Sequence, residues 1–369
     1  MSSRREFLKD LAGATAGVVF VGCGLAHAQN AGQPSGAAPK RREAKVGGRR
    51  VTTVDVHCHA FVPDVWDLLK GDARAQNVKR YFDGPQAPVL SIMNVDARLK
   101  LMDSWGIDIQ AVSTPPEYNY WADRDLASRI VPIQNEKIAA LCAAHPDRFV
   151  GLGAVALQHP ELAAEQMEAG VKKLGLRGFE IGGSVNGEEL SSPKFEPFWA
   201  KAEELGTLIF IHPANFTDGA KRFQGKGQLE NVIGNPLETT VALSHLIFEG
   251  TLDKHPGLKI CGAHGGGYLP SYSGRSDQCF GDPQRCKTGT KRPSEYLKQI
   301  YVDSLVFTNE GLRHLIAEIG AGQIVLGTDY PFGWESDAVS YILNAPGLTN
   351  DQRKAILGGN AARLLKIRA

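Results

Sequence analysis

His57 and His59 stand two residues apart in the run Val54-Asp55-Val56-His57-Cys58-His59. On a strand, residues at i and i+2 share a face, so two imidazoles converge at the end of this apolar, β-branched run; a helix would splay them apart. Imidazole nitrogen suits zinc and the neighbouring divalent transition metals, and a catalytic site takes about three protein ligands and keeps a position open. His-x-His alone is a weak pattern, so the remaining ligands must come from elsewhere in the chain. Three other apolar runs end in polar groups: Leu208-Ile209-Phe210-Ile211 in His212-Pro213, Ile260-Cys261-Gly262-Ala263 in His264, and Ile324-Val325-Leu326-Gly327-Thr328 in Asp329-Tyr330-Pro331. The histidines outside these runs and beyond the N-terminus read as structural or surface groups. His145 and His159 precede prolines at helix boundaries, His245 and His314 fall within helical stretches, and His255 begins a turn.

Such residues converge only if their strands run parallel, and the chain is patterned for that. Strands are expected at Val51–His57, Ile109–Ser113, Phe149–Ala156, Gly178–Ile181, Leu208–His212, Leu258–Ala263, Ile300–Asp303 and Ile324–Gly327. Helices are expected at Asp96–Trp105, Arg124–Ala144, Pro160–Leu174, Pro197–Leu205, Leu237–Glu249, Ser294–Leu297 and Asn309–Ile319, with a C-terminal set over Ser336–Leu365. Strands alternating with longer amphipathic stretches give βα units and a parallel sheet. Eight of them imply an α/β fold of the (β/α)8 TIM-barrel type, in which reactive groups collect at the C-terminal strand ends. Phe61 to Asn94 is too long for a simple βα loop and reads as an irregular insertion over the barrel mouth. His264-Gly265-Gly266-Gly267 lacks the spacing and the lysine of a phosphate-binding loop.

With 369 residues, 43% of them hydrophobic, the chain can bury a full-sized core. Residues 1–28 read as a cleaved export signal: Arg4-Arg5 with Phe7-Leu8-Lys9, a short Gly/Ala-rich apolar run from Leu11 to Leu25, and a small-residue cleavage site at Ala26-His27-Ala28. The run is too short to span a membrane, and the paired arginines resemble a twin-arginine signal, so a periplasmic address is expected. Cys23 is a poor match to a lipid-anchoring box and gives a minor alternative. Residues 29–48 read as a flexible leader, with the barrel domain over 49–369. The formal charge is +1, falling to about zero once Arg4, Arg5 and Lys9 leave with Glu6 and Asp10. Nothing in that balance argues for nucleic acid or membrane as partner. Cys58, Cys142 and Cys261 sit in apolar elements and read as packing residues, whereas Cys279 and Cys286 share a polar loop in which they are able to pair in an oxidising compartment.

The set His57-Cys58-His59, His212-Pro213, Ala263-His264-Gly265-Gly266-Gly267 and Leu326-Gly327-Thr328-Asp329-Tyr330-Pro331-Phe332 resembles the metal-dependent amidohydrolase superfamily, and within it the aminocarboxymuconate-semialdehyde decarboxylase branch. Further similar stretches are Tyr120-Trp121, Arg148 to Gly153, Asn235 to Thr240 and Gly359-Asn360-Ala361, so the likeness runs from Val51 to Leu365. It implies a non-oxidative decarboxylase of a small unsaturated or aromatic carboxylic acid. His57, His59, His212 and Asp329 would hold one Zn2+ with water, and His264 would be the catalytic proton shuttle, with Asp329 assisting. Zinc lowers the pKa of bound water from about 15.7 to about 7, on the order of 12 kcal/mol in favour of the ionised form. The resemblance also places Trp121, Phe332 and Arg275 among the substrate-binding residues. Arg275 would reach a neighbouring subunit's site, which implies a homodimer with composite sites.

Three features modify that picture. The branch carries an arginine in the insertion where this chain reads Gly84-Pro85-Gln86-Ala87-Pro88-Val89, and an aromatic residue where this chain has Ala214. Loss of a carboxylate-gripping arginine argues for a different substrate, unless Arg80 reaches in from the same insertion. Glu180, on the fourth strand, would allow a second metal, although one metal is expected. Hydrolysis of a lactone, ester or amide by the same site is the alternative activity, and a non-catalytic exported binding protein is a third reading.

Overall fold

Eight short strands pair in parallel around a nearly closed barrel: β1 (Val54–His59), β2 (Ile109–Ser113), β3 (Phe149–Gly153), β4 (Gly178–Ile181), β5 (Leu208–Ile211), β6 (Lys259–Gly262), β7 (Ile300–Asp303) and β8 (Ile324–Val325). The structure is a computed structural model that describes residues 41–115, 119–214, 216–282, 284, 286, 289–334 and 337–367. The expected export signal, Cys23 and most of the leader lie outside the described residues. Parallel bridges Asp55 to Leu326 and Cys58 to Tyr330 join the first and last strands, with Val56 N–H donating to the Leu326 carbonyl (2.8 Å) and His59 N–H to that of Tyr330 (2.7 Å). Outside the sheet lie α1 (Val95–Trp105), α2 (Arg124–Ala144), α3 (Pro160–Leu174), α4 (Glu196–Leu205), α5 (Asn235–Phe248), α6 (Ser273–Phe280), α7 (Asn309–Ile319) and α8 (Ala338–Asn344). This is the layered arrangement of a (β/α)8 barrel.

Local chemistry sets the element ends. Asp123 caps α2 by accepting from Leu126 N–H (2.9 Å), and Thr308 caps α7 by accepting from Gly311 N–H (3.0 Å). Gly106, at φ +75°, ends α1 in the left-handed conformation that a side chain would resist. Inside the barrel, Leu208 and Phe210 pack with Val54, Val56, Ala111, Leu152 and Cys261, whereas Ile209 and Ile211 belong to the layer beneath the helices. That alternation carries His212 inward, two residues beyond Phe210. In β1 the parity changes, because the pairing with β2 shifts register between Asp55 and Cys58. Val54 and Val56 are inner residues and Cys58 packs in the outer layer, which leaves His57 and His59 facing in.

Two expectations are corrected. Residues 41–50, ahead of Val51, are already structured: Lys45–Val46 pairs with Arg49–Arg50 as a hairpin, Arg41 bridges to Asp108 (2.6 Å), and Arg42 bridges to Asp337 (2.9 Å). The insertion is not irregular. It folds into short turns at Pro63–Val65, Trp66–Leu69, Ala73–Ala75, Lys79–Asp83 and Ala87–Leu90, held by stacking of Phe61 on Tyr81 (4.7 Å) and Trp66 on Phe82 (5.4 Å). Such turns are too short to show a helical period in sequence. Cys279 and Cys286 form a disulfide, and Cys58 and Cys261 are free and buried. No helix among the described residues is long and apolar enough to cross a membrane.

Candidate active site

The ends of β1, β5 and β8 bring His57, His59, His212 and Asp329 together. One ligand atom from each lies within 4.8 Å of all the others, and all four residues are buried. Asp329 Oδ1 is 3.2 Å from His57 Nε2 and 3.4 Å from His59 Nε2, and none of these three atoms makes a well-aligned hydrogen bond. Buried lone pairs aimed at one another are costly unless a cation joins them. Three imidazoles and a carboxylate are a donor set that a divalent metal fits, so these residues form a divalent-metal site.

The far side of each β1 imidazole is anchored. His57 Nδ1 lies 2.7 Å from Asp303 Oδ2. His59 Nδ1 lies 3.1 Å from Ser113 Oγ, whose hydroxyl donates to the Cys58 carbonyl, and 3.2 Å from Glu180 Oε2. These partners favour protons on Nδ1 and leave Nε2 for a metal. Glu180 thus stands behind His59 and lies outside the four-residue ligand group. Asp303 does more than orient His57. Its carboxylate also accepts from the backbone N–H groups of His264 (2.8 Å), Gly265 (2.8 Å) and Leu305 (3.0 Å), tying the turn that carries His264 to a metal ligand.

His264 Nε2 is 3.8 Å from Asp329 Oδ2, and its ring centroid is 5.2 Å from those of His57 and His212. Both His264 (φ +54°) and Asp329 (φ +55°) occupy the left-handed region, a strain that clusters at functional sites. Asp329 is held there by its N–H donating to the His57 carbonyl (2.8 Å). Neighbouring Thr328 donates its N–H (3.1 Å) and hydroxyl (2.7 Å) to Asp55.

The electrostatics divide the histidines. Burial works against a charge on His57, but the Asp329 charge and the Asp303 hydrogen bond outweigh it and push its pKa up to about 10. His59 is raised too, where Glu180 and Asp329 overcome burial. His212 goes well below the usual range, through burial and the positive charges of His59, His57 and His264. Burial would raise Asp329, yet the His57 charge and the close approach of the His264, His57 and His59 imidazoles hold it well below the carboxylate range.

Above the ligands lies a cavity of about 410 Å3 walled by His212, Asp329, Phe332, Arg80, Tyr81 and Asn231, among others. Phe332 is thus a wall of this cavity, its ring 5.8 Å from that of His59. Arg80 reaches this cavity from the insertion and donates to the Tyr81 hydroxyl (2.8 Å). Trp121 lies elsewhere, lining an adjoining cavity with Tyr120, Ser184 and Glu238 beneath the Arg74 guanidinium (4.4 Å). Arg275 is exposed on α6 and lines none of these cavities within its own chain. Sequence reasoning missed Asp303 and Arg98. Asp303 ends an apolar run in the same way as the four ligands, so the signal was present. Arg98 is buried and donates to the His59 carbonyl (2.5 Å) and to Gln110 (3.1 Å), contacts that its helix position does not announce.

With this geometry in hand, the class is plain: the family model described as Amidohydrolase matches residues 54–367, and the chain belongs to that family. It is 34% identical over 274 residues to 2-amino-3-carboxymuconate-6-semialdehyde decarboxylase of Dictyostelium discoideum, covering 73% of this chain and 76% of that protein. The crystal structure of 5-carboxyvanillate decarboxylase from Sphingomonas paucimobilis superposes with a TM-score of 0.79 at 28% identity, over 86% of this chain and 100% of the other. That of dihydroxybenzoic acid decarboxylase from Polaromonas sp. JS666, with bound manganese and the inhibitor 2-nitroresorcinol, gives 0.74 at 27% identity, over 86% and 98%.

Proposed function

We propose that this chain is a metal-dependent, non-oxidative carboxy-lyase that releases carbon dioxide from a small aromatic or unsaturated carboxylic acid. The observation that carries the reading is the placement of His264 Nε2 3.8 Å from Asp329 Oδ2, beside the four converging ligands and at a cleft that His212, His264 and Asp329 line. His57, His59, His212 and Asp329 would hold one divalent ion, for which zinc matches the donor set. When bound, the ion supplies a fixed positive charge and Lewis acidity against which the substrate's oxygens are oriented. His264 delivers a proton to the carbon that bears the carboxylate. The bond to the carboxylate then breaks, its electron pair returns to the unsaturated system, and carbon dioxide leaves. Phe332 packs against the substrate, and Arg80 offers a charged partner at the cavity wall.

The test is carbon dioxide release from a panel of hydroxybenzoates and muconate-type acids by the metal-loaded protein, with metal analysis of the protein as isolated. Cleavage of esters or lactones with no carbon dioxide from any acid would replace this reading by hydrolysis at the same ligands. The proposal extends to assembly and address. Arg275, exposed and away from its own ligand cluster, would complete the site of a second copy in a homodimer. Inactive His57→Ala and impaired Arg275→Ala subunits should then regain activity when mixed, and an unimpaired Arg275→Ala protein would remove the idea. Export through the N-terminal signal suits the Cys279–Cys286 disulfide, since oxidising compartments preserve such pairs.

A further inference from the structure

Resting on the decarboxylase reading, we propose that the substrate acid carries an apolar substituent, and that a second cavity on the His264 side of Asp329 receives it. The cleft divides at Asp329. One lobe is the cavity described above, with Arg80, Gln228, Asn231 and Asn235 among its walls. The other, about 480 Å3, shares Asn231, Asp329 and Trp334 with the first, has His264 at its floor, and is walled by Val232, Pro236, Tyr268, Leu305, Val306 and Phe307. No lysine or arginine is among the described residues lining this second lobe.

Its walls close on the catalytic turn because that turn lacks side chains. A Cβ on Gly265 would come within 2.5 Å of Val306 Cγ1, and one on Gly267 within 2.1 Å of the Pro236 carbonyl oxygen. The loop after β7 is pinned over the lobe by Val306 N–H donating to the Ser304 carbonyl (2.9 Å), Thr308 N–H to that of Val306 (2.8 Å) and the Tyr341 hydroxyl to that of Thr308 (2.6 Å). Between those bonds Phe307 is held at φ +57°, a conformation that a bulky aromatic residue resists. Strain of this kind is retained at ligand clamps, and it presents the ring at the mouth of the lobe with half its surface exposed. Val232 (48%) and Trp334 (42%) stand exposed at the same rim.

The chemistry of the occupant follows. A substrate whose carboxylate meets Arg80 in the first lobe and whose reacting carbon lies within reach of His264 has its remaining atoms on the His264 side of Asp329. A second carboxylate there would face mostly apolar walls and the Asp329 carboxylate with no lysine or arginine to pair with, so a dicarboxylic acid is disfavoured. An alkyl, alkoxy or aryl group would instead take Val232, Phe307 and Trp334 out of water. The substrate class is an aromatic acid with an apolar substituent of several carbons, and Val306 and Phe307 determine that specificity.

The experiment reads binding to the metal-loaded protein by calorimetry, using 2-hydroxybenzoate and its methyl, ethyl and propyl derivatives at ring positions 4 and 5. At one of the two positions, affinity should climb by about fourfold per added methylene. Phe307→Ser and Val306→Asp should flatten that climb, with the melting temperature and metal content reporting whether the fold is kept. Val232→Arg, on the exposed rim, should turn the preference towards the derivative with a second carboxylate at the same position. No gain at either position, or a gain that survives all three substitutions, overturns the proposal. Because affinity and carbon dioxide release are separate measurements, the two readings fail separately. A climb in affinity with no carbon dioxide from any of these acids removes the lyase and leaves the lobe, whereas turnover with flat affinity removes the lobe and leaves the lyase.

Discussion

The strand ends that hold His57, His59, His212 and Asp329 and the loops that wall the cleft above them are built on opposite terms. At the strand ends the ligands are buried, and each β1 imidazole is backed by a carboxylate from another strand, Asp303 from β7 and Glu180 from β4. In the loops Val232, Phe307 and Trp334 keep 48%, 50% and 42% of their surface in solvent, and Arg80 comes from an insertion of short turns. The barrel fixes which chemistry is available, and the loops choose what it acts on. Positional tolerance should therefore fall steeply from rim to floor.

The largest effect tests the floor. Asp329→Ala and His57→Ala should each lose metal and activity together, measured by metal content and carbon dioxide release. Full metal occupancy in either variant would detach these residues from the ligand set. His264→Asn should keep the metal while the rate falls about 100- to 10,000-fold, since a proton donor and not a ligand is removed. An unchanged rate would reject its role.

Asp303→Asn separates orientation from ligation. Metal affinity should drop about 10- to 100-fold, with most of the turnover regained at saturating metal. If affinity is unchanged, the contact between Asp303 and His57 is structural only. The smallest effect is a proton count. A nitrogen that ligates a metal must be free of its proton, and the pKa of His57 stands at about 10 in the metal-free protein, with His59 raised as well. Metal binding at pH 7 should release about one to two protons, so affinity rises with pH by at most about tenfold per proton per unit until the His57 pKa is passed. Linkage gives the metal-free fold the opposite trend. The raised His57 pKa contributes stability that is complete below the ordinary imidazole value and is lost as pH rises through about 10. Calorimetry in buffers of different ionisation enthalpy measures the release, and heats that are independent of buffer would contradict it.

Much of the floor was legible in the sequence, because each ligand ends an apolar run that a parallel sheet turns towards one mouth. The spans of β2, β4, β7, α2, α3 and α7 were readable to the residue, since their periodicity and caps are local signals. The resemblance of the His57, His212, His264 and Asp329 motifs pointed to the same family that the comparison with known proteins establishes. What periodicity does not record is which distant residue meets which. Only the tertiary structure placed Asp303 against His57, 246 positions away in sequence, and seated Arg98 beneath the His59 carbonyl. It also decided the register shift between Asp55 and Cys58 that turns both β1 histidines inward, because that shift comes from pairing with β2 and not from the strand's own residues. The rim was the least legible region. Its short turns carry no period, and their side chains take their places from packing between loops far apart in the chain, which is why Arg80 came to the cavity and Trp121 to the one beside it.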